Sequence, residues 1–409
     1  MKVLGVVSVS AGAIALVASL GLPTATAAAH PMPAHPVPAH PVPAQAQAPR
    51  PGQWRQVTAT KDNNILDIGI ARGADGVLHV VWTSGGNAGQ YAVHDTPIAA
   101  NGTVRSTTTI ASKYFDGSFA DATTTPTGVD AFFNAEKTSA SSTWGTYEAT
   151  RPLRGGSWHV SSFTTPLNTG WGSGMAATAG RDGKPWLAFL IGGGVADLHY
   201  GQSEQLLPLS GCCFYETGIG TDGSSGATWV TWNSNATSPG VYYRKVVASG
   251  APSGPAKRAP GSKDTQILLQ RMTAVGRGKG HSGVYITYLT GSPFPTAVRL
   301  YRLGARTATT AEKLGAESTV GLSTLASDAA GHIWVGWAST IGGKAALWVR
   351  RSNTAATKLG KVERVRLPRG TSNVWRVYLS ATKRHLDVLA LLSVRGKMSY
   401  WHTQVLPPR

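Results

Sequence analysis

The chain has 409 residues, of which 49 are glycine and 24 are proline, while charged residues make up only 14%. Many turn formers and few charges exclude a protein built mainly from long solvated helices, and a hydrophobic content of 42% excludes a largely disordered chain. The formal net charge of +18 indicates an anionic partner or surface.

The N-terminal residues have the pattern of a secretory signal peptide. Lys2 gives a positive start, residues 3–22 are apolar, and residues 25–27 (Ala-Thr-Ala) provide a small-residue cleavage site. A transmembrane anchor of about twenty residues is the alternative interpretation. We predict a signal peptide over residues 1–29 and hence a secreted protein, extracellular or associated with the cell wall, with no transmembrane segment after cleavage.

Residues 30–50 form a linker rich in proline, histidine and alanine. Prolines at alternate positions stiffen this segment into an extended polyproline II conformation and remove backbone donors, so we do not expect it to join a sheet. The imidazoles of His30, His35 and His40 can bind transition metals, but an extended spacer does not gather three ligands at one point. We therefore predict no metal and no cofactor, and a folded domain over residues 51–409.

One short motif recurs through the folded domain: a glycine turn, usually with aspartate, followed by an apolar strand that ends in an aromatic residue. Six copies end at Trp82, Phe133, Phe189, Trp232, Tyr288 and Trp337. A seventh copy, residues 385–390, lacks the aromatic ring. The copies are spaced by 43 to 56 residues, close to the length of a four-stranded propeller blade. Because one ring recurs in each copy, we expect these rings to pack between neighbouring sheets rather than to bind a ligand.

The repeat predicts an all-β fold, a seven-bladed β-propeller, with a six-bladed ring as the second choice. Strands of small residues precede each turn, as expected where the inner strands of several blades crowd around one axis. The last unit stops after its third strand, residues 398–405, and residues 52–57 resemble the fourth strand at residues 156–160. We therefore expect the N-terminal strand to complete the last blade, which protects both open edges.

The repeated Asp-Gly turn, apolar strand and Trp, as in residues 75–82, resemble the repeats of secreted bacterial propellers related to the sialidases and other glycan-active enzymes. The resemblance covers nearly all of the folded domain and implies a propeller fold. Sialidases use a tyrosine nucleophile with a glutamate, which Tyr215 and Glu216 resemble, and substrate-clamping arginines, which Arg271 and Arg376 resemble. The Arg-Ile-Pro segment that begins the sialidase site is missing, so catalysis is left open and we favour binding without it.

The loops before the inner strands should open near the axis on one face of the disc, where pockets combine aromatic walls with a few charged groups. We predict carbohydrate-binding residues on this face at Asp62, Asn64, Tyr114, Asp116, Trp171, Cys212, Cys213, Tyr215, Glu216, Asp264, Arg271, Glu317, Trp375 and Arg376. Ordinary loop polarity is the alternative explanation for this set.

Cys212 and Cys213 are adjacent and are the only cysteines of the chain. Export favours their oxidation, and our hypothesis is a disulfide between these neighbours on the floor of the predicted site. Such a bridge brings the two Cα atoms to the separation of one peptide and strains it, as happens where a rigid surface is needed. A bridge to another molecule, free thiols, or a stiff loop without a ligand are the alternatives.

Positive charge is concentrated in the second half of the chain. Residues 1–222 hold 12 Lys and Arg against 14 Asp and Glu, whereas residues 223–409 hold 26 against 6. Many of the basic residues fall on the third and fourth strands of the later units, which form the outer wall of a propeller, so one side of the disc should be strongly positive. Solubility and protection of strand edges are the alternative uses of this charge.

These observations predict an exported propeller, a monomer, that binds extracellular or cell-envelope carbohydrate, with an anionic glycan or cell-wall polymer as its partner. A glycoside hydrolase or polysaccharide lyase with its site on the axial face is one alternative function, and a scaffold for another protein is a second. The sequence contains no recognisable aromatic-and-basic nucleic-acid module.

Overall fold

A computed structural model describes most of the predicted folded domain. The described residues are 50–58, 68–85, 91–137, 144–153, 155–162, 172–191, 195–200, 203–208, 214–234, 238–247, 251–264, 272–291, 294–314 and 318–407. The predicted signal peptide and nearly all of the linker lie outside these residues. Within the described ranges, no helix has the length and apolar character needed to cross a membrane.

The strands are numbered in chain order, beginning with β1 (Arg55–Gln56), and those that follow form successive four-stranded antiparallel sheets. Sheet 1 contains β2 (Gly69–Arg72), β3 (Leu78–Ser84), β4 (Tyr91–Ile98) and β5 (Thr108–Tyr114). Sheet 2 contains β6 (Asp116–Thr124), β7 (Gly128–Glu136), β8 (Trp144–Pro152) and β9 (His159–Ser162). Sheet 3 contains β10 (Gly172–Ala179), β11 (Pro185–Ile191), β12 (Val195–Tyr200) and β13 (Ser203–Pro208).

The second half of the chain continues the same plan. Sheet 4 contains β14 (Phe214–Thr221), β15 (Thr228–Ser234), β16 (Gly240–Val246) and β17 (Pro252–Arg258). A short 3-10 helix (Ser262–Asp264) precedes sheet 5, which contains β18 (Ala274–Gly276), β19 (Val284–Thr290), β20 (Ala297–Arg302) and β21 (Thr309–Lys313). Sheet 6 contains β22 (Ser318–Ser327), β23 (Ile333–Ile341), β24 (Lys344–Ser352) and β25 (Leu359–Val365). Sheet 7 contains β26 (Thr371–Ala381), β27 (Leu386–Val394), β28 (Lys397–Val405) and, as its outer strand, β1.

The two ends of the folded domain meet in sheet 7. Arg55 of β1 pairs with His402 of β28, and Gln56 pairs with Trp401. The all-β propeller prediction is confirmed, and so is the pairing of the N-terminal strand with the last strand of the chain. Since the first strand of the described residues supplies the fourth position of sheet 7, the two ends of the ring are held by backbone hydrogen bonds.

Buried apolar clusters between successive sheets hold the ring together. Each neighbouring pair of sheets shares one such cluster, including a cluster of Trp82 and Val80 from sheet 1 with Tyr378 and Leu389 from sheet 7. The six recurring aromatic residues are all buried. In sheet 2, for example, the ring of Phe133 stacks on a neighbouring tyrosine with the centroids 5.4 Å apart. The interpretation of these rings as core packing is therefore confirmed.

The inner strands β2, β6, β10, β14, β18, β22 and β26 are crowded, which explains their small residues. A Cβ added to Gly69 of β2 would lie 2.5 Å from the backbone carbon of Asp121 in β6. Likewise, a Cβ added to Gly218 of β14 would lie 2.6 Å from the carbonyl oxygen of Met272, just before β18. Such contacts are too short for any side chain, so backbone from neighbouring sheets approaches at these positions only because glycine is present.

Candidate functional site

The inner strands surround a central channel of about 340 Å³. Every one of the seven contributes to its wall, through residues such as Ile70 of β2, Ala177 of β10, Ile219 of β14 and Ser380 of β26. Most of its lining residues are small. A pocket in which sheets from the whole ring converge is the usual place for a ligand in such a fold.

Two charged side chains, Arg72 and Asp121, are among the described residues that line the channel. The Asp121 carboxylate accepts a hydrogen bond from the backbone N–H of Ala122, at 2.7 Å, and another from the N–H of Ala177 in sheet 3, at 2.6 Å. This carboxylate therefore ties sheet 2 to sheet 3 at the axis. A glycosidase needs two carboxyl groups about 5 to 9 Å apart, and the described channel wall holds only this one.

Arg72 belongs to a buried polar cluster that joins sheet 1 to sheet 7. Its guanidinium forms an ion pair with Asp387, whose carboxylate also contacts His402 at 2.8 Å and His385 at 3.0 Å. Gln404 donates a hydrogen bond to the same carboxylate at 3.1 Å. Burial alone would raise the pKa of Asp387, but the hydrogen bonds from the two histidines and the charge of Arg72 outweigh it and lower that pKa. The cluster connects the first and last sheets of the ring.

One mouth of the channel, which we call the axial face, lies where the inner strands begin. Five inner strands have a register shift near this end: β6, β10, β14, β22 and β26. Bulges of this kind occur at the rims of sheets beside binding sites because they redirect side chains. In β14 the bulge falls at Glu216, which has a φ of 51°, and in β26 one falls at Trp375.

Trp375 and Arg376 are the predicted site residues that are best placed for contact with a ligand. Trp375 is the extra residue of its bulge, and its ring is about half exposed, at 51%. Arg376 follows it and is partly buried. The hairpin between β27 and β28 reaches the same end of sheet 7, with Arg395 and Lys397 exposed there. An exposed indole beside several cations is suited to a ligand with both apolar and anionic groups.

Three other predicted residues whose side chains the structure describes are buried or partly buried. Tyr114 is buried against Phe133 and Tyr147 between sheets 1 and 2, and burial raises its pKa to about 12. It is a core residue and does not line the channel. Asp116 begins β6, is partly buried, and accepts a hydrogen bond from the N–H of Gly117 at 2.7 Å. Glu216 is partly buried in the bulge of β14.

Most of the predicted set falls where the structure gives no side-chain description. Asp62, Asn64, Trp171, Cys212, Cys213, Arg271 and Glu317 lie outside the described residues. The backbone places Tyr215 in β14 opposite Asn233, and Asp264 at the end of the 3-10 helix. The vicinal disulfide and the convergence of the acidic residues therefore stay predictions.

The outer wall of sheets 6 and 7 carries an exposed strip of cations, which we call the basic wall. Its members on and beside β25 and β1 are Arg50, Arg55, Lys358, Lys361, Arg364, Arg366 and Arg369. The guanidinium of Arg364 lies over the ring of Trp348, 5.6 Å from its centroid. Trp54 donates a hydrogen bond from its indole N–H to the carbonyl oxygen of Arg366 at 2.7 Å, so the edges of the two sheets adjoin.

The structure also holds a carboxyl pair that the sequence argument missed. Asp130 of β7 and Glu148 of β8 project from the same face of sheet 2. Burial and the neighbouring charge of Asp130 raise the pKa of Glu148 to about 7, and burial raises the pKa of Asp130. Asp130 stands three residues before Phe133, at a position where sheets 3, 4 and 6 carry Trp186, Trp229 and Trp334. A carboxyl group in place of an aromatic ring is the signal that would have indicated it. Within the described ranges, no three His, Cys, Asp or Glu side chains form a metal-binding group.

Comparisons with known proteins concern the fold. No protein-family model matches the chain, and no curated protein matches it in sequence. Among solved structures, a protein of unknown function from Dyadobacter fermentans is 9% identical, with a TM-score of 0.51 and coverage of 88% of this chain and 99% of that chain. A puromycin hydrolase is 12% identical, with a TM-score of 0.53 and coverage of 88% and 55%. An ulvan lyase, a polysaccharide lyase solved with a bound saccharide, is 12% identical, with a TM-score of 0.50 and coverage of 83% and 94%.

Proposed function

We propose that this protein is an exported propeller that binds an anionic polysaccharide along its basic wall, without cleaving it. The observation that carries the proposal is a row of exposed cations on adjoining outer strands, with almost no acidic side chain to neutralise them. We infer that each of the seven sheets is one blade, since each contributes to the channel wall and shares a core cluster with the next.

The acidic residues of sheets 6 and 7 do not offset the positive charge at the surface. Between residues 318 and 407 there are three: Asp328, Glu363 and Asp387. Asp328 and Asp387 are buried, each in contact with histidine and arginine side chains. Glu363 is only partly exposed, and burial raises its pKa. The surface field on this side of the ring is therefore set by the cations, and it attracts a polyanion.

The arrangement of the basic wall suits an extended polymer. Lys361 and Arg364 lie on one outer strand, Arg366 directly follows it, and Arg55 lies on the next outer strand around the ring. A strand rises by about 3.3 Å per residue, so cations on such strands follow a chain rather than enclose a small molecule. Arginines pair well with carboxylate and sulfate groups because the planar guanidinium donates two parallel hydrogen bonds.

The indole at the axial mouth and the fold likeness to a polysaccharide lyase are consistent with a carbohydrate ligand, although the likeness extends only to the fold. The axial-face residues predicted from the sequence are kept as secondary contacts in this proposal. An exported protein would meet carbohydrate polymers at the cell envelope.

The test compares binding of a labelled acidic polysaccharide, such as polygalacturonate, with binding of neutral dextran. We expect retention of the acidic polymer only, weakened about tenfold or more between low and moderate salt because screening shortens the range of the charges. The double variant Arg364→Glu and Arg366→Glu should lose most of the binding. The control Arg105→Glu and Lys184→Glu changes the net charge equally on exposed residues of sheet 1 and sheet 3 and should retain it.

If the control variant lost as much polysaccharide binding as Arg364→Glu with Arg366→Glu, net charge alone, and not the basic wall, would attract the polymer. Equal retention of dextran would refute the electrostatic basis of the proposal. Incubation of the polymer with the protein provides the third measurement, since release of reducing ends or unsaturated products would show a hydrolase or lyase instead.

A further inference from the structure

Five large apolar side chains are markedly exposed in the described part of the chain, and their distribution is uneven. Phe294, Ile341 and Trp375 are 63%, 41% and 51% exposed, and Val247 and Leu406 are 44% and 56% exposed. Phe294, Ile341 and Trp375 lie at the axial face on three consecutive sheets, whereas Val247 and Leu406 follow third strands at the opposite end of the channel. Single exposed apolar residues are common on protein surfaces, but three on one face of neighbouring sheets indicate an interaction site.

Phe294 and Ile341 are held at connections between strands, and Trp375 is held on a bulge near the start of an inner strand. Phe294 lies in the connection between β19 and β20. Ile341 is the last residue of β23, next to a Gly-Gly turn, and pairs with Ser318, the first residue of an inner strand. Trp375 is the bulged residue of β26. Ile341 offers no ring on which a sugar could stack.

Cations lie beside Ile341 and at the end of sheet 7 that carries Trp375. Lys344 pairs directly with Ile341 across the β23–β24 turn and is exposed. Arg369, Arg395 and Lys397 are exposed at the same end of sheet 7. Aromatic and aliphatic tips that enter the headgroup region, with lysine and arginine around them, are the pattern by which peripheral proteins bind anionic lipid.

We propose that the axial face of sheets 5–7 docks on the surface of an anionic lipid bilayer, with Phe294, Ile341 and Trp375 inserted at the level of the headgroups. The lipid-docking face shares Arg369 with the basic wall and Trp375 with the secondary carbohydrate contacts. The polysaccharide proposal is tested at Arg364 and Arg366, which the docking face does not use, so either proposal can fail without the other. A protein docked in this way presents its outer wall sideways, free to contact a polymer in the adjacent envelope.

The test is co-sedimentation of the full chain with vesicles of phosphatidylglycerol and phosphatidylcholine, and with vesicles of phosphatidylcholine alone. We expect binding to the anionic vesicles that falls with added salt, and a reduction of about tenfold or more in the triple variant Phe294→Ser, Ile341→Ser, Trp375→Ser. The matched control is Val247→Ser with Leu406→Ser, which removes exposed apolar side chains from the opposite end and should leave binding unchanged. All variants keep residues 1–49, so that segment is the same in every protein compared.

The triple variant should keep the melting temperature of the parent because all three side chains are exposed, and this measurement accompanies each assay. Equal binding by a folded triple variant and the parent would overturn the proposal. The same conclusion would follow if the control pair lost as much binding as the triple variant, or if neither vesicle type sedimented the protein.

Discussion

The polar cluster that joins sheet 1 to sheet 7 should be a main determinant of stability. The perturbation is Asp387→Asn, which keeps the shape of the side chain and removes its charge. The Asp387 side chain is only 1% exposed and that of its partner Arg72 is 18% exposed, so the substitution leaves a largely buried guanidinium without its counter-charge. Removing one partner of a buried ion pair costs about 3–5 kcal/mol, and we expect a loss of unfolding free energy in this range at neutral pH.

The pH dependence of this loss follows from the pKa of Asp387. The folded-state pKa is lowered, so the carboxylate stabilises the protein above the ordinary pKa of an aspartate, and that contribution disappears as the pH falls towards the lowered value. The unfolding free energies of the parent and of Asp387→Asn should therefore differ most near about pH 7 and differ less near about pH 3. Urea unfolding followed by tryptophan fluorescence measures both differences.

Asp75→Asn is the control, since Asp75 is exposed and only accepts a hydrogen bond from the N–H of Val77 within its own turn. It removes the same charge and should change the unfolding free energy by less than about 0.5 kcal/mol. If Asp387→Asn unfolds at the same urea concentration as the parent at neutral pH, the cluster does not hold the first and last sheets together and this reasoning is wrong.

Two further predictions concern sheet 2 and the inner strands. Burial and the charge of Asp130 raise the pKa of Glu148 to about 7, so the fold should lose stability as the pH rises from the ordinary pKa of a glutamate towards this value. Glu148→Gln should therefore raise the melting temperature at pH 8 and change it less at pH 5. A melting temperature that falls equally at both pH values would contradict this. Gly69→Ala should lower the melting temperature by several degrees, because the added Cβ would lie 2.5 Å from the backbone of Asp121. Gly117→Ala should have a smaller effect, because its added Cβ would lie 3.5 Å from the nearest atom. Equal melting temperatures for the two alanine variants would refute the close approach.

The architecture could be predicted from the sequence because propeller blades are built from local patterns. The turn, the apolar strand and the aromatic end recur within a few residues of each other, and each ring packs on the sheet next to it. The N-terminal strand could be assigned to the last sheet because the last unit lacked one strand. These are properties of short segments and of their order along the chain.

The site could be predicted only in part. Trp375 was expected at the axial face, and the structure places it there on a bulge, but Tyr114, expected beside it, packs in the core between two sheets. A bulge inserts one extra residue into a strand and so changes the directions of the side chains around it. No pattern in the sequence predicted where the bulges occur. The cluster of Arg72 and Asp387 was missed because its members are 315 residues apart along the chain.

The sequence by itself determined the kind of fold, the repeat and the excess of positive charge, since composition and local periodicity are independent of how distant segments meet. Only the tertiary structure decided which charges are neutralised. It buries Asp328 and Asp387 against basic partners and leaves the cations of the outer wall exposed. The ring brings the first and last sheets into contact, and the free energy of that contact depends on distances in space rather than on separation along the chain.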